Sequence, residues 1–350
     1  MFKSIVLHSL VIFIVFLIIG KFDFSLLHNG SVLLYETHDV LFHKPVKNQE
    51  GYIWTQGMSR RSYKIAINEL GTRGEGQVLS CDKIRILSTG SSSAFGEGLS
   101  DQMVWSSLVN TEFEKQSVAA EIYNGGVPGW GLYQWSNFIS IYAESFSPEI
   151  VFIPMSHGDF WFYPPVEGKA ERENWVNSDL KKKAILNYDN VLGYILRKSQ
   201  YILTAAKTKY FSSKKEGGGP ALGEQVDQFE IHFSKQQKYL DELIALSKQH
   251  DFKLIFFVRN ADFTPAGKEL YKKLSNKLSE DNDFFLFEIS PADFDSTLTE
   301  AEFENYYKEN LIIKNDGHPN DYYSRLMADK IYQAITKVIA DSSVSAKPCQ

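Results

Sequence analysis

The chain has 350 residues, 43% of them hydrophobic and 23% charged, with a formal net charge of −6. Those values are ordinary for a globular protein and leave room for one large domain, or for one domain with insertions. No basic stripe stands out, which speaks against nucleic acid as a partner.

Residues 5–19 are apolar apart from His8 and Ser9. The stretch from Phe2 to Gly20 is long enough to cross a hydrocarbon core of about 30 Å as a helix. No small-residue cleavage site follows, since the chain runs into Gly20-Lys21-Phe22-Asp23. The expectation is an uncleaved single-pass signal anchor at 1–20. A short tail ahead of a large C-terminal domain places that domain outside the cytoplasm, periplasmic or at the cell surface. Residues 21–81 read as a membrane-proximal stalk that becomes a domain edge. Of the two cysteines, Cys81 reads as a buried thiol and Cys349 as a loose one in the tail, rather than as a disulfide.

From residue 84 onward apolar runs alternate with helical patterns, the signature of a parallel sheet wrapped by helices. The expected strands are 84–88, 120–123, 150–154, 253–258 and 284–288. Helices are expected from Asp101, capped by Ser100, over 133–145, on both sides of the Ser/Lys/Gly-rich stretch 212–222, and over 321–339. The helix after that stretch turns Phe229, Phe233, Tyr239, Leu240, Leu243 and Leu246 toward the sheet. Each notable polar motif follows the carboxyl end of a strand, where open α/β sheets bind ligands.

Gly90-Ser91-Ser92-Ser93-Ala94-Phe95-Gly96-Glu97-Gly98 follows the first of these strands. It reads either as a nucleophile turn carrying Ser92 or as a Ser/Gly loop capping the next helix. Asp316-Gly317-His318-Pro319-Asn320 supplies an imidazole with a carboxylate two residues before it. It reads either as a general base with its orienting partner or as a turn opening the last helix. Asn124-Gly125-Gly126-Val127-Pro128-Gly129 could aim backbone N–H groups at an oxyanion, or be an ordinary turn. Ser156-His157-Gly158-Asp159 follows the third strand, and His157 is a donor, an alternative base or a polar strand end. The aromatic run from Phe160 through Trp161 to Tyr163 suits stacking on sugar, enclosing an acyl chain, or a hydrophobic lid. No zinc spacing and no phosphate-binding GxxxxGK[ST] motif occurs, so no cofactor and no metal are expected.

With these residues in hand, the chain resembles the SGNH (GDSL-type) hydrolase superfamily over roughly residues 68–334. Asn68-Glu69-Leu70-Gly71-Thr72-Arg73-Gly74 is similar to the N-x-x-G-x-R-G lead-in of extracytoplasmic members. Gly90-Ser91-Ser92 and Phe95-Gly96-Glu97-Gly98 stand in the place of G-D-S-x-T-x-G-E-G. Ser91 replaces the family's aspartate, and Gly158 replaces its oxyanion asparagine. Asp316 lies two residues before His318, where the family most often spaces three.

The resemblance implies a three-layer flavodoxin-like α/β fold with a parallel sheet of order 2-1-3-4-5. The domain would span 82–341, with a helical insertion at about 160–250 and a disordered tail at 342–350. It implies a catalytic set of Ser92, His318 and Asp316, an oxyanion hole from Ser92, Gly126 and Gly158, and His157, Asp159 and Trp161 beside the substrate. The expected activity is hydrolysis of an acyl ester, commonly acetyl, on an envelope glycan or lipid through an acyl-enzyme. Acyl transfer by the same fold, or binding of a surface polysaccharide without turnover, are the rival expectations.

Overall fold

The structure is a computed structural model that describes residues 32–33, 35–54, 62–161, 184–185, 222–259, 264–278, 283–295, 297–313 and 317–348. Its centre is a five-stranded, all-parallel sheet. The strands are β5 (Ile84–Ser88), β6 (Ala120–Asn124), β7 (Ile150–Met155), β8 (Lys253–Arg259) and β9 (Phe284–Ile289), preceded in the chain by four strands of two N-terminal hairpins. They lie in the order β9-β8-β7-β5-β6. Numbered from β5, that order is 2-1-3-4-5, as the resemblance implies. Four of the five strands run one residue further than the sequence pattern suggests; β5 ends where expected.

The strands are apolar on both faces because helices cover both faces. All six residues of β7 are buried. Leu87, Val151, Ile153, Leu254 and Phe256 face one layer, and Ile86, Ile150, Phe152, Ile255 and Phe257 the other. After β5 come the one-turn helix α1 (Ser92–Phe95) and α2 (Trp105–Lys115). Then follow α3 (Leu132–Phe146), α4 (Leu222–His250), α5 (Pro265–Leu278), α6 (Glu300–Tyr306) and α7 (Asp321–Ser342). The first layer holds α3, α4 and α5, through residues such as Trp135, Phe229, Leu240 and Leu270. The second holds α2 and α7, through Trp105, Val109, Met327 and Ile331. The helix expected from Asp101 is a single 3₁₀ turn, Asp101–Met103, and Ser100 makes no side-chain cap; α2 proper starts at Trp105. Asn320 caps α7 instead, accepting the Tyr323 N–H.

The segment read as a stalk is largely part of the globule. β1 (Tyr35–His38) pairs with β2 (Phe42–Pro45), and β3 (Gln49–Trp54) with β4 (Ser62–Ile67). Tyr35, Leu41, Phe42, Tyr63, Ile65 and Ile67 join the first core layer, beside Trp130 and Phe138. Trp130 Nε1 donates to the His43 carbonyl at 3.1 Å, which ties the hairpin to the loop after β6.

The far end of the chain also differs from expectation. Arg85 and Glu149, both buried, pair at 2.8 Å. Glu149 Oε1 then accepts the Lys347 N–H at 2.6 Å, and Arg85 Nη2 donates to the Lys347 carbonyl at 3.1 Å. This pair holds the described part of the tail against the amino ends of the central strands. Cys81 is exposed and disulfide-bonded, not a buried thiol. The chain's other cysteine, Cys349, lies outside the described residues. Among the described residues no helix is long and apolar enough to cross a membrane. The expected anchor at 1–20, most of the expected insertion, and most of the Ser212 to Leu222 stretch lie outside them.

Candidate active site

In a sheet of order 2-1-3-4-5 the strand order reverses between β5 and β7, and ligands bind outside the carboxyl ends there. The loop after β5 carries Ser92. A Cβ at Gly90 would stand 2.4 Å from Ala94 Cβ and 3.3 Å from the Pro154 carbonyl oxygen, so the chain can turn this sharply only at glycine. Ser92 then opens α1, and its carbonyl accepts the Gly96 and Glu97 N–H groups at 3.0 and 2.9 Å. Gly96, at φ +83°, ends the turn in the left-handed region.

His318 approaches from the other side. The segment before α7 folds back on itself: Ile313 N–H donates to the His318 carbonyl at 2.8 Å and Asn320 N–H to the Leu311 carbonyl at 3.0 Å. The outcome is a Ser92 Oγ to His318 Nε2 distance of 2.8 Å between residues 226 apart in sequence. That is hydrogen-bond length for a hydroxyl donating to an unprotonated ring nitrogen. Asp316 lies outside the described residues. A carboxylate that the sequence analysis left without a role, Glu97, places Oε2 3.7 Å from His318 Nε2 and is 13% exposed.

The glycines after β6 act on α1 directly. A Cβ at Gly126 would lie 2.6 Å from the Phe95 backbone nitrogen and 2.9 Å from the Ala94 carbonyl carbon. The Gly126 N–H, expected to serve an oxyanion, donates to Asn124 Oδ1 at 3.0 Å. Asn124 Nδ2 in turn donates to the Ala94 carbonyl at 2.9 Å and to Ser106 Oγ at 3.1 Å. The second motif therefore serves here as packing and bracing of α1. Among the described residues nothing accepts the Ser92 N–H.

Arg73, from the lead-in motif, braces the end of α1. Its Nη1 donates at 2.7 Å to both the Phe95 and Gly96 carbonyls, its Nη2 reaches the Leu99 carbonyl, and its Nε pairs with Asp101 at 2.8 Å. The Gly96 carbonyl also accepts the Leu99 N–H at 3.1 Å, and Arg73 supplies donors for the Phe95 and Leu99 carbonyls beside it. Ser91 itself makes no side-chain cap.

The turn after β7, His157–Trp161, lies beside the carboxyl end of β8. Asp159 is buried and folds back on Ser156, accepting its N–H at 2.7 Å and its hydroxyl at 3.2 Å. His157 Nδ1 meets Thr264 Oγ1 at 3.3 Å, so in this structure it is joined to α5 rather than to Ser92. Burial lowers its pKa below the ordinary value, with Asp159 opposing and Arg259 adding to the shift. A Cβ at Gly158 would meet only Ser156 Oγ, at 3.7 Å, so the position is open to a side chain. The side chain of Trp161 lies outside the described residues. Among the described residues no cluster of three His, Cys, Asp or Glu could hold a metal ion.

An α/β chain with a hydroxyl–imidazole pair at the switch point of a parallel sheet is what the fold and site define. No family model matches the sequence, and no curated protein matches it. Among solved structures the chain is similar to the psychrotrophic esterase EstA from Pseudoalteromonas sp., at 14% identity and a TM-score of 0.42, over 74% of this chain and 100% of that one. It is similar also to the acetyl xylan esterase AlAXEase (15%, 0.38, 72% and 100%). A third is a member of the lipolytic protein G-D-S-L family from Veillonella parvula DSM 2008 (14%, 0.38, 72% and 98%).

Proposed function

We propose that the chain is an SGNH-type serine hydrolase of ester bonds. The observation that carries this reading is the 2.8 Å approach of Ser92 Oγ to His318 Nε2. His318 takes the serine proton as Oγ attacks the acyl carbonyl, then returns it to the departing alcohol. Asp316 is the proposed orienting partner of the ring. The unpartnered Ser92 N–H is the proposed first oxyanion donor, and the open position at Gly158 offers a second backbone donor. Water, delivered through the same imidazole, releases the acyl group.

The substrate class proposed is an acyl ester, with acetyl first, of an envelope glycan or lipid, met by a domain anchored outside the cytoplasm through residues 1–20. The disulfide at Cys81 supports an oxidising compartment. One observation favours a second reading. The Gly126 N–H is already engaged and the oxyanion asparagine is absent, which suits a domain that binds an acylated polysaccharide with weak turnover. A carbohydrate hydroxyl replacing water would make the same site an O-acyltransferase.

A fluorophosphonate probe separates hydrolase from binder. Labelling of the full chain that disappears in Ser92→Ala is the expected result. Absence of labelling between about pH 7 and 9, where an ordinary imidazole is mostly neutral, would leave only the binding reading.

A further inference from the structure

Three arginines are buried in the described chain: Arg73, Arg85 and Arg259. Arg73 is matched by Asp101 and three carbonyls, and Arg85 by Glu149 and the tail carbonyl. Arg259 is 5% exposed, yet its Nε has no hydrogen-bond partner and no carboxylate among the described residues pairs with its guanidinium. A buried, permanently charged group without a counter-charge is costly. A fold carries such a cost at a site where a ligand offsets it.

The position is a ligand position. Arg259 is the last residue of β8 and pairs with Ile289 of β9, one step beyond the Val258–Met155 pair. It therefore stands at the carboxyl edge of the sheet, level with the turn that carries His157. Side chains alternate along a strand, so Arg259 follows Ile255 and Phe257 toward the α2 and α7 layer. Its charge reaches His157 on one side and the buried Tyr323 on the other. Tyr323 lies in the first turn of α7, the helix that His318 leads into. Asp159, the carboxylate of the neighbouring turn, is committed to Ser156. Among the described residues, the groups that Arg259 reaches are thus an imidazole that burial keeps toward its neutral form and a phenol, both hydrogen-bonding, while the carboxylate of that turn is held by Ser156.

We propose that Arg259 receives an oxyanion, a carboxylate or a phosphoryl group, borne by the ester substrate, so that the site selects acidic acyl-carrying molecules over neutral ones. This rests on the hydrolase reading and narrows it. A guanidinium offers paired donors that match both groups, and those donors are worth most where water is excluded. The anion would sit at the rim formed by β7 and β8, beside the hydroxyl–imidazole pair after β5.

The test uses the full chain carrying Ser92→Ala, which cannot turn over. Binding of glucuronate, glucose 6-phosphate and glucose is followed by calorimetry and by the shift in melting temperature at matched ionic strength. The expected result is binding of one or both anions at least tenfold tighter than glucose, with the stronger anion assigning carboxylate or phosphate. Adding Arg259→Gln should weaken anion binding at least tenfold and leave glucose unaffected; Arg259→Lys, which keeps the charge without the fork and guards against a folding failure, should weaken it severalfold. Anions that bind no better than glucose, or as tightly to both Arg259 variants as to the parent, overturn the inference. Fluorophosphonate labelling of the unaltered chain reads the hydrolase assignment separately. Labelling without anion preference removes the Arg259 inference alone, whereas anion binding without labelling removes the hydrolase reading and leaves the anion site.

Discussion

Arg73 Nε donates to Asp101 Oδ1 at 2.8 Å, while Asp101 Oδ2 takes the Ala66 N–H at 2.6 Å. The pair links the end of the N-terminal hairpins to the loop that holds Ser92. Arg73 N–H also donates to the Asn124 carbonyl at 2.8 Å, so one residue touches β6, the hairpin and α1. Arg73→Ala should cost about 3–5 kcal/mol, the usual consequence of removing one partner of a buried ion pair. Arg73→Lys keeps the charge but not the planar set of donors to Phe95, Gly96 and Leu99. It should stay folded and lower kcat on a small ester by about tenfold or more, with KM nearly unchanged. A parent-like kcat in a folded Arg73→Lys would show that α1 holds its shape without the fork.

Gly126 supplies a sharper test of the same turn. A methyl group there would lie 2.6 Å from the Phe95 backbone nitrogen, and backbone cannot swing aside as a flexible side chain can. Gly126→Ala should displace α1, lower the melting temperature and slow fluorophosphonate labelling of Ser92 by about 10²-fold, the scale expected for misplacing a reacting group by about 1 Å. Gly76 is the control: a Cβ there meets nothing within 4 Å, so any loss in Gly76→Ala measures only its φ of +66°.

The contrast between these two glycines shows what the sequence could carry. Strand positions, their parallel order and the Ser92–His318 encounter were legible because buried runs and polar strand ends are local patterns. Gly126 is legible as a turn glycine after a strand, but the partner of its N–H is not. Whether its N–H faces an oxyanion or Asn124 Oδ1 depends on a side-chain rotamer that no spacing encodes. Arg73 stood in a recognisable motif, but its three carbonyl partners lie more than twenty positions away. Arg259 closes the apolar run Leu-Ile-Phe-Phe-Val within β8, and a charge at that carboxyl edge is a readable signal. The hairpins of residues 35–67 escaped because short antiparallel strands that each give only a few side chains to the core show little periodicity.

Glu97 stands 3.7 Å from the same ring nitrogen that meets Ser92. In the proposed mechanism His318 accepts the serine proton, and a carboxylate at that distance would stabilise the imidazolium. Glu97→Gln should therefore lower kcat on a small ester by about tenfold while the protein stays folded. His318→Ala should lower it by about 10³-fold or more, as loss of the base does in such pairs. If Glu97→Gln retains full kcat, the carboxylate is a loop residue and Asp316 alone is left to balance the ring.

At Gly158 the sequence lacks the asparagine that the family resemblance implies, and the structure has room for it: the nearest atom to a new Cβ is Ser156 Oγ at 3.7 Å. One oxyanion donor is typically worth about 10²–10³ in kcat. Gly158→Asn should raise kcat toward the lower end of that range, read on a neutral acetyl ester with the labelling rate as a second measure. A folded variant with no gain in either would show that the missing donor does not limit the reaction.

His157 should give the protein's stability a pH dependence. Its ordinary pKa is 6.5, and burial lowers it in the folded protein. The groups facing it are Asp159, which pulls the value up, Arg259, which pushes it down, and Thr264 Oγ1 at Nδ1. Between the folded value and 6.5 the unfolded chain binds more protons than the folded one, so stability rises with pH across that window. It is fully present above 6.5 and is lost as the pH falls toward the folded value. Urea midpoints measured at pH 8, 6.5 and 5 should fall more steeply for the parent than for His157→Gln, which carries no titrating ring. Parallel slopes would mean that the imidazole charges as easily in the folded protein as in water, so that below 6.5 it would add a second positive charge near Arg259.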